Sequence, residues 1–301
     1  MNILLATDGS KNAQWGCDLI AHIREQGDVH VHLVHVTTPL PEPMVPFPDV
    51  FVEQDLMARE RMEDEHEMRA AERLEACRNM LPPGVKVTTH ARVGHPAQEI
   101  LSVIDQVLPD LVVMGARGMD KTPEYAIGSV SQKVVRYAPC PVVIAREKGI
   151  GNRRVLVGLD EKGDGDQVLE WLKHARWLSG CSLTLTHVVE DRYLSESRLA
   201  ATQFSGSGTY LDKLQDTLKE QALAFLEREA ALLADAPFQV STLVLEGAPA
   251  TALADHTRAG GFDLLVVGAR GRHGLSRFLM GSTSEKVLRQ AGCSVVVVRT
   301  R

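Results

Sequence analysis

A repeat of a whole domain constrains this chain more than any local propensity does. Pro109-Asp110-Leu111-Val112-Val113-Met114-Gly115-Ala116-Arg117-Gly118 returns as Phe262-Asp263-Leu264-Leu265-Val266-Val267-Gly268-Ala269-Arg270-Gly271, an offset of 153 residues. Gly94-His95-Pro96-Ala97 matches Gly247-Ala248-Pro249-Ala250 at the same offset, and Arg136 to Cys140 matches Arg289 to Cys293. Nearer the start of each copy the offset is 152: Asp8 matches Asp160, and His35-Val36 matches His187-Val188. One residue of drift is a loop insertion within a duplicated fold. The 301 residues therefore read as two domains, 1–148 and 152–301, each large enough to bury its own core. The link from Glu147 to Arg153 holds two glycines in a charged run, and it is too short to let the copies tumble apart.

Within each copy, short β-branched apolar runs alternate with stretches of helical period. Strands are expected at Ile3–Ala6, Val29–Val36, Val85–Ala91, Leu111–Met114 and Val142–Ala145, with helices at Asn12–Glu25, Glu53–Asn79, Ala97–Val107 and Ser129–Arg136. The second copy gives strands at Val155–Leu159, Ser182–Val189, Gln239–Leu245, Leu264–Val267 and Ser294–Val298. Its helices are expected at Gln167–Leu178, Tyr210–Ala234, Thr251–Arg258 and Ser282–Gln290. Apolar runs without polar alternation suit strands buried on both faces, so the fold class is α/β: two tandem doubly wound parallel-sheet domains. The last strands, Val142–Ala145 and Val295–Val298, would invite aggregation as open edges, which predicts that the copies pair across them. Two segments stand outside the alternation, the five-proline run Thr37–Pro48 and the stretch Glu190–Gly208. Both follow a second strand, at the sheet edge where open α/β sheets place ligands, and either a lid or a variable surface loop fits them.

Composition narrows the partners. The formal charge of -6 is carried by the first half, the second being balanced, so nucleic acid and anionic membranes are not expected partners. No apolar run approaches the roughly 18 residues of a membrane span, and Asp8 interrupts the first run too early for a signal peptide, so a cytoplasmic location is expected. The five cysteines are odd in number and form no CxxC, which favours reduced, buried side chains over a disulfide framework or metal site.

The chemistry gathers after the fourth strand of each copy. Gly115-Ala116-Arg117-Gly118 is followed after nine residues by Gly128-Ser129, and Gly268-Ala269-Arg270-Gly271 by Gly281-Ser282-Thr283. Glycine at a strand end lets an anion approach backbone N–H groups, and the next helix offers unpaired amides and the positive end of its dipole. Neither copy has the GxxxxGK[ST] loop or a GxGxxG after its first strand. The first strands instead end near an acid, Asp8 or Asp160, able to accept from ribose hydroxyls, while Val36 and Val188 end the second strands where a flat base can pack.

This pattern, Gly-x2-Gly-x9-Gly-Ser present twice and in register with the repeat, resembles the ATP-binding branch of the universal stress protein family in its tandem form. The resemblance covers nearly the whole chain. It implies the adenine nucleotide α-hydrolase-like, Rossmann-like variant of the fold, with ATP as ligand and Mg2+ as its attendant ion. Adenine and ribose contacts are implied for Asp8, Val36 and Met114, and phosphate contacts for Gly115, Arg117, Gly118, Gly128, Ser129 and Val130. Asp160, Val188, Val267, Gly268, Arg270, Gly271, Gly281, Ser282 and Thr283 would form the second site. The last strands resemble those through which family members dimerise, and pairing of whole chains into a homodimer is a further expectation. Asp120 and Glu124 add negative charge to the first nine-residue stretch, whereas the second contains Arg272 and Arg277, so the second copy is expected to hold polyphosphate more tightly.

Other signals are weaker. His30 and His32 share a strand face and His35 lies opposite, an arrangement better suited to satisfied histidines than to a metal. His95 and His273 fall near the crevices, with surface positions as the default. The run Arg59–Arg69 has an acidic excess and reads as a solvated helix face. No GxSxG elbow is present and no base is evident, so catalytic residues are not assigned. A nucleotide-dependent stress or regulatory factor is the leading expectation. The alternatives are a dimerisation scaffold with vestigial sites and a slow ATP-hydrolysing or adenylating enzyme.

Overall fold

The computed structural model describes residues 1–10, 12–39, 53–116, 127–146, 151, 153–161, 164–190, 208–269 and 280–299. The first copy runs β1 (Asn2–Ala6), α1 (Asn12–Glu25), β2 (His30–Thr37), α2 (Glu53–Met80), β3 (Lys86–Val93), α3 (Pro96–Val107), β4 (Leu111–Gly115), α4 (Ser129–Tyr137) and β5 (Val142–Ala145). The second runs β6 (Arg154–Gly158), α5 (Gly165–His174), β7 (Ser182–Val189), α6 (Gly208–Ala231), β8 (Gln239–Glu246), α7 (Pro249–Gly260), β9 (Leu264–Gly268), α8 (Ser282–Gln290) and β10 (Ser294–Val298). No helix among the described residues is long and apolar enough to cross a membrane.

All ten strands form one sheet in the order β3-β2-β1-β4-β5-β10-β9-β6-β7-β8. Pairing within each copy is parallel, for example Ile3 with Val31 and with Leu111. The copies meet through β5 and β10, the antiparallel pair among the described strands, with Val142, Val143 and Ile144 opposite Val297, Val296 and Val295. Alternate residues of each central strand feed two cores. Ile3, Leu5, Leu111, Val113, Val296 and Val298 pack with α1, α2, α5 and α6 on one face. Leu4, Val112, Met114, Ile144, Val295 and Val297 pack with α3, α4, α7 and α8 on the other. Each such side chain contributes roughly 1.5–3 kcal/mol through burial, which is why the strand sequences are apolar throughout rather than alternating.

Matching arginines fasten the junction. Arg146 follows β5 and donates from Nη2 to the Leu288 carbonyl at 2.7 Å, in the last turn of α8. Arg299 follows β10 and donates to the Arg136 carbonyl of α4, also at 2.7 Å. Both arginines are buried, and each places its charge at the negative end of the opposite copy's helix. Glu285 of α8 accepts from Gln132 at 2.9 Å and from Arg136 at 3.3 Å across the same seam.

One element departs from expectation. The helix anticipated over Gln167–Leu178 ends at His174, and Arg176–Leu178 forms a 3-10 turn. The tighter turn carries Trp177 and Leu178 into the core, 3% and 0% exposed, where Trp177 meets Trp171 edge-on at 6.1 Å. Burial of an aromatic ring outweighs the helical period there.

Because both cores run through β5 and β10, the copies should unfold together. Ile144→Ala is expected to cost about 2–5 kcal/mol. In denaturant titrations the midpoint read from Trp15 in the first copy should move together with that read from Trp171 and Trp177 in the second. Two separate transitions, with the second unmoved, would contradict a shared sheet.

Candidate functional site

In each copy the order of strands reverses between the first and fourth. The chain leaves β1 toward α1 on one face and leaves β4 toward α4 on the other. Such divergence opens a crevice at the C-terminal ends of parallel strands. In the first copy it is a cavity of about 500 Å³ lined by Asp8, Val36, Met114, Gly115, Gly128, Ser129 and Val130. Those are all the expected first-copy contacts that the structure describes. Arg117 and Gly118, with Arg270 and Gly271, lie outside the described residues, as do His273 and the charged residues of both nine-residue stretches.

Local hydrogen bonds hold the crevice in shape. Thr7 N donates to the Val34 carbonyl at 2.9 Å, the Thr7 hydroxyl accepts from Gly9 N at 3.1 Å, and Asp8 Oδ1 accepts from Ser10 N at 2.9 Å. Gly9 takes φ +79°, which this tight turn requires and most side chains resist. On the opposite wall Gly128 N donates to the Ala116 carbonyl at 2.8 Å, and the Ser131 hydroxyl donates to the Gly115 carbonyl at 3.0 Å. Gly128 provides no side-chain cap, so the first-turn amides of α4 keep their capacity to bind an anion.

The second copy repeats this frame. Gly281 N donates to the Ala269 carbonyl at 2.7 Å, the Ser284 hydroxyl to the Gly268 carbonyl at 2.6 Å, and Leu159 N to the Thr186 carbonyl at 2.8 Å. Asp160 lies just beyond β6, Val188 and Val267 near the ends of β7 and β9, and Ser282 and Thr283 in the first turn of α8. Ser131 and Ser284 were not foreseen; their recurrence at the same offset, in helices already singled out, was the available signal.

Arginines of α2 were also missed. His66, Arg69 and Arg73 line the first cavity, although residues 59–69 read as a solvated face. Arg69 is in fact mostly exposed and paired with Glu65 at 3.2 Å, so it stands at the rim. Arg73 reaches deeper: a Cβ placed on Gly9 would lie 2.9 Å from its Cγ and Cδ. Ala70, Leu74 and Cys77 form the buried stripe of α2, which Leu81 continues just past its end, and the adjoining stripe of 66, 69 and 73 turns toward the crevice.

His35 organises this corner. Its Nδ1 donates to the Thr7 carbonyl at 2.8 Å, leaving Nε2 to accept from Arg73 Nη1 at 3.5 Å. Burial lowers its pKa, and the Arg73 charge pushes the same way against the Thr7 carbonyl, so the ring is held neutral. His187 makes the equivalent bond to the Leu159 carbonyl at 3.0 Å. Where the first copy has Arg73, however, the residue 152 positions on is Phe225, whose ring meets His187 edge-on at 5.7 Å. The frames are alike, but His35 faces Arg73, which lines the first cavity, whereas His187 faces the ring of Phe225.

The other two histidines of β2 pair with β3. His30 bonds Thr88 at 2.9 Å and His32 bonds His90 at 3.1 Å, while no cluster among the described residues is suited to a metal ion. A larger cleft of about 680 Å³ lies between the end of α1 and Trp171 and Trp177. It includes neither a helix N-terminus nor any expected contact, so the strand-end crevice is the better candidate.

A family model described as the universal stress protein family matches residues 1–146 and 151–299. The chain is 27% identical to the universal stress protein YxiE of Bacillus subtilis over 146 residues, which is 48% of this chain and 98% of that protein. It is 31% identical over 144 residues to a universal stress protein of Thermus aquaticus, covering 48% of this chain and 97% of that one. Among solved structures, a universal stress protein from Archaeoglobus fulgidus superposes with a TM-score of 0.63 at 21% identity, covering 99% of this chain and 96% of that one, a likeness of fold.

Burial lowers the pKa of His35, and it also leads the lowering at His32 and His90. As pH falls through the unfolded value near 6.5, the unfolded chain takes protons first, so these groups favour folding above that value and lose their contribution below it. The denaturation midpoint should therefore drop between about pH 7.5 and about pH 5.5. His35→Gln should flatten the drop, and a midpoint that rises on acidification would contradict the neutral assignment.

Proposed function

Since the chain belongs to the universal stress protein family through both of its copies, we propose that it is an ATP-binding regulatory protein with one nucleotide crevice in each domain, residues 1–148 and 152–301. The observation that carries this reading is the convergence of Asp8, Val36, Met114, Gly115, Gly128, Ser129 and Val130 on one cavity of about 500 Å³. That volume falls within the usual range for small-molecule sites, roughly 300–1,000 Å³. The buried Ser10 hydroxyl has no hydrogen-bond partner among the described residues and lines the same cavity, as a site awaiting a polar ligand would.

Each group has a physical role in this reading. The Asp8 carboxylate accepts from ribose hydroxyls, while Val36 and Met114 supply apolar surface for adenine. First-turn amides of α4, with the Ser129 hydroxyl, take phosphate oxygens at the positive end of the helix dipole. Arg117 and Arg270 would add charge, and Mg2+ would accompany the triphosphate. Binding outweighs hydrolysis here, because no P-loop lysine follows the glycines and no base is assigned. A second copy of the chain would have to pair through another surface, since β5 and β10 already pair with each other.

The crevices should differ in strength, in the opposite order from that expected from the nine-residue stretches. Arg73 brings the first a guanidinium suited to phosphate, and Phe225 brings the second none.

Calorimetry should show Gly128→Val abolishing one ATP site by obstructing the start of α4, and unchanged stoichiometry and affinity in a folded Gly128→Val protein would reject the assignment. Arg73→Phe should weaken ATP at the first site about tenfold, as expected for one half-exposed charge-assisted contact, while adenosine affinity stays unchanged. Phe225→Arg should strengthen the second site. Phosphate release with Mg2+ should stay below about 1 per second under single-turnover conditions, and faster release would make the protein an ordinary hydrolase.

A further inference from the structure

Cys17 on α1 and Cys77 on α2 are each 1% exposed, and their Sγ atoms stand 3.6 Å apart. Cys17 Sγ also points at the Cys77 carbonyl, 3.9 Å away. The pair sits directly behind the Asp8 turn. The two sulfurs are within hydrogen-bond reach of each other, Cys77 Sγ also meets the Thr7 hydroxyl, and Thr7 Oγ1 accepts from Gly9 N at 3.1 Å. Arg73 precedes Cys77 by one turn of α2 and lies across Gly9. The second copy contains none of this: 152 positions on, Thr7, Cys17 and Cys77 are replaced by Leu159, Leu169 and Glu229. The fold itself therefore does not demand a thiol at either place.

We propose that Cys17 and Cys77 are a redox modification site, forming a reversible disulfide that joins α1 to α2 and reshapes the first crevice. The oxidant is a hydroperoxide, small enough to enter as the two helices breathe. Cys77 gives up its proton and, as thiolate, attacks the terminal peroxide oxygen; the O–O bond breaks, the departing hydroxide or alkoxide takes up that proton to leave as water or an alcohol, and Cys77 becomes a sulfenic acid. The sulfur of Cys17, losing its proton, then attacks the Cys77 sulfur. The S–S bond forms, the S–O bond breaks, and hydroxide leaves with that proton as water. Two thiols lose two electrons, the peroxide gains them, and a small dithiol reverses the change by exchange. The Thr7 hydroxyl beside Cys77 favours its thiolate and gives it the first attack, while Cys17, whose pKa the shared hydrogen bond and burial raise, follows.

Closing the sulfurs from 3.6 Å to the roughly 2.05 Å of a disulfide shifts α2 toward α1. It also removes the thiol that the Thr7 hydroxyl meets and puts a disulfide sulfur in its place. Both effects act on the Thr7–Ser10 turn and on Arg73, so oxidation should loosen ATP in the first crevice; this last step rests on the nucleotide reading above.

The test uses the full chain, reduced and then exposed to a few equivalents of hydrogen peroxide. Mass spectrometry without reductant should show the loss of two hydrogens and a peptide pair linking Cys17 to Cys77. Cys140, Cys181 and Cys293 should remain open to alkylation after denaturation, and dithiothreitol should restore the original mass. Cys17→Ser should leave Cys77 as a sulfenic acid that dimedone traps, and Cys17→Ala serves if the serine variant does not fold. No linked peptide in the wild type, or links to other cysteines instead, overturns the site. Hydrogen exchange at Gly9 and Ser10 should change on oxidation, and ATP affinity at the first crevice should fall about threefold or more. A linked peptide with both readouts unchanged overturns the coupling, whereas a linked peptide in a protein that binds no ATP at all refutes only the nucleotide reading.

Discussion

Three cross-strand pairs, Val142–Val297, Val143–Val296 and Ile144–Val295, hold the rest of the architecture in place. Each copy by itself would end in an exposed strand with nearly no polar side chain, an edge prone to pair with any neighbour. Pairing these edges antiparallel turns two five-stranded sheets into one of ten and lets the valines reach cores on both faces. It also fixes the placement of the crevices. Strands within a copy are parallel and the junction is antiparallel, so the C-terminal strand ends of the two copies point to opposite rims. The crevices therefore cannot share a ligand, and influence between them has to pass through β5, β10 and the helices α4 and α8.

Arg146 and Arg299 show how that passage is built. Each leaves the end of a junction strand and bonds a carbonyl in the last turn of the helix whose first turn opens on the opposite copy's crevice. The positive charge complements the helix dipole at its negative end, and the carbonyls that no intrahelical amide can reach are satisfied. One helix thus presents its N-terminus to a crevice and its C-terminus to the other copy's junction strand. Any shift of α4 would be felt directly by Arg299, and a shift of α8 by Arg146.

The frame was legible in the sequence because its signals are local or periodic. The 153-residue offset, the buried strands and the glycines before α4 and α8 all survive as patterns along the chain. What stayed hidden depends on contacts between distant segments. Arg73 belongs to a helix with an acidic excess, and only the packing of the 70, 74 and 77 stripe against the sheet turns it over Gly9. Cys17 and Cys77 lie 60 residues apart with no spacing motif, so the cysteine count could not reveal a facing pair. Ala175 ends a helix that the apolar period would have continued, because Trp177 finds better packing in the tighter turn. Arg146 and Arg299 could have been found: both follow the last strand at the repeat offset, and a recurrent charge beside a buried strand demands a partner.

The same frame with different contents explains how duplicated crevices come to differ. His35 and His187 tie the first and second strands together in the same way, each through Nδ1 to a carbonyl just past the first strand. Their other ring edges face different neighbours. His35 faces Arg73 across 3.5 Å, a long contact between a guanidinium and a neutral imidazole. Such a bond is enough to keep the cation over the Gly9 turn, but it is weak beside a charge-assisted bond to a phosphate oxygen. Arg73 is therefore poised rather than committed: an entering anion offers it a better acceptor, and His35 gives it up at small cost because Thr7 still holds the other nitrogen. His187 faces Phe225, which has no such exchange to make. The two crevices thus share a frame while the side chain facing the repeated histidine differs in kind, a cation in one and an aromatic ring in the other.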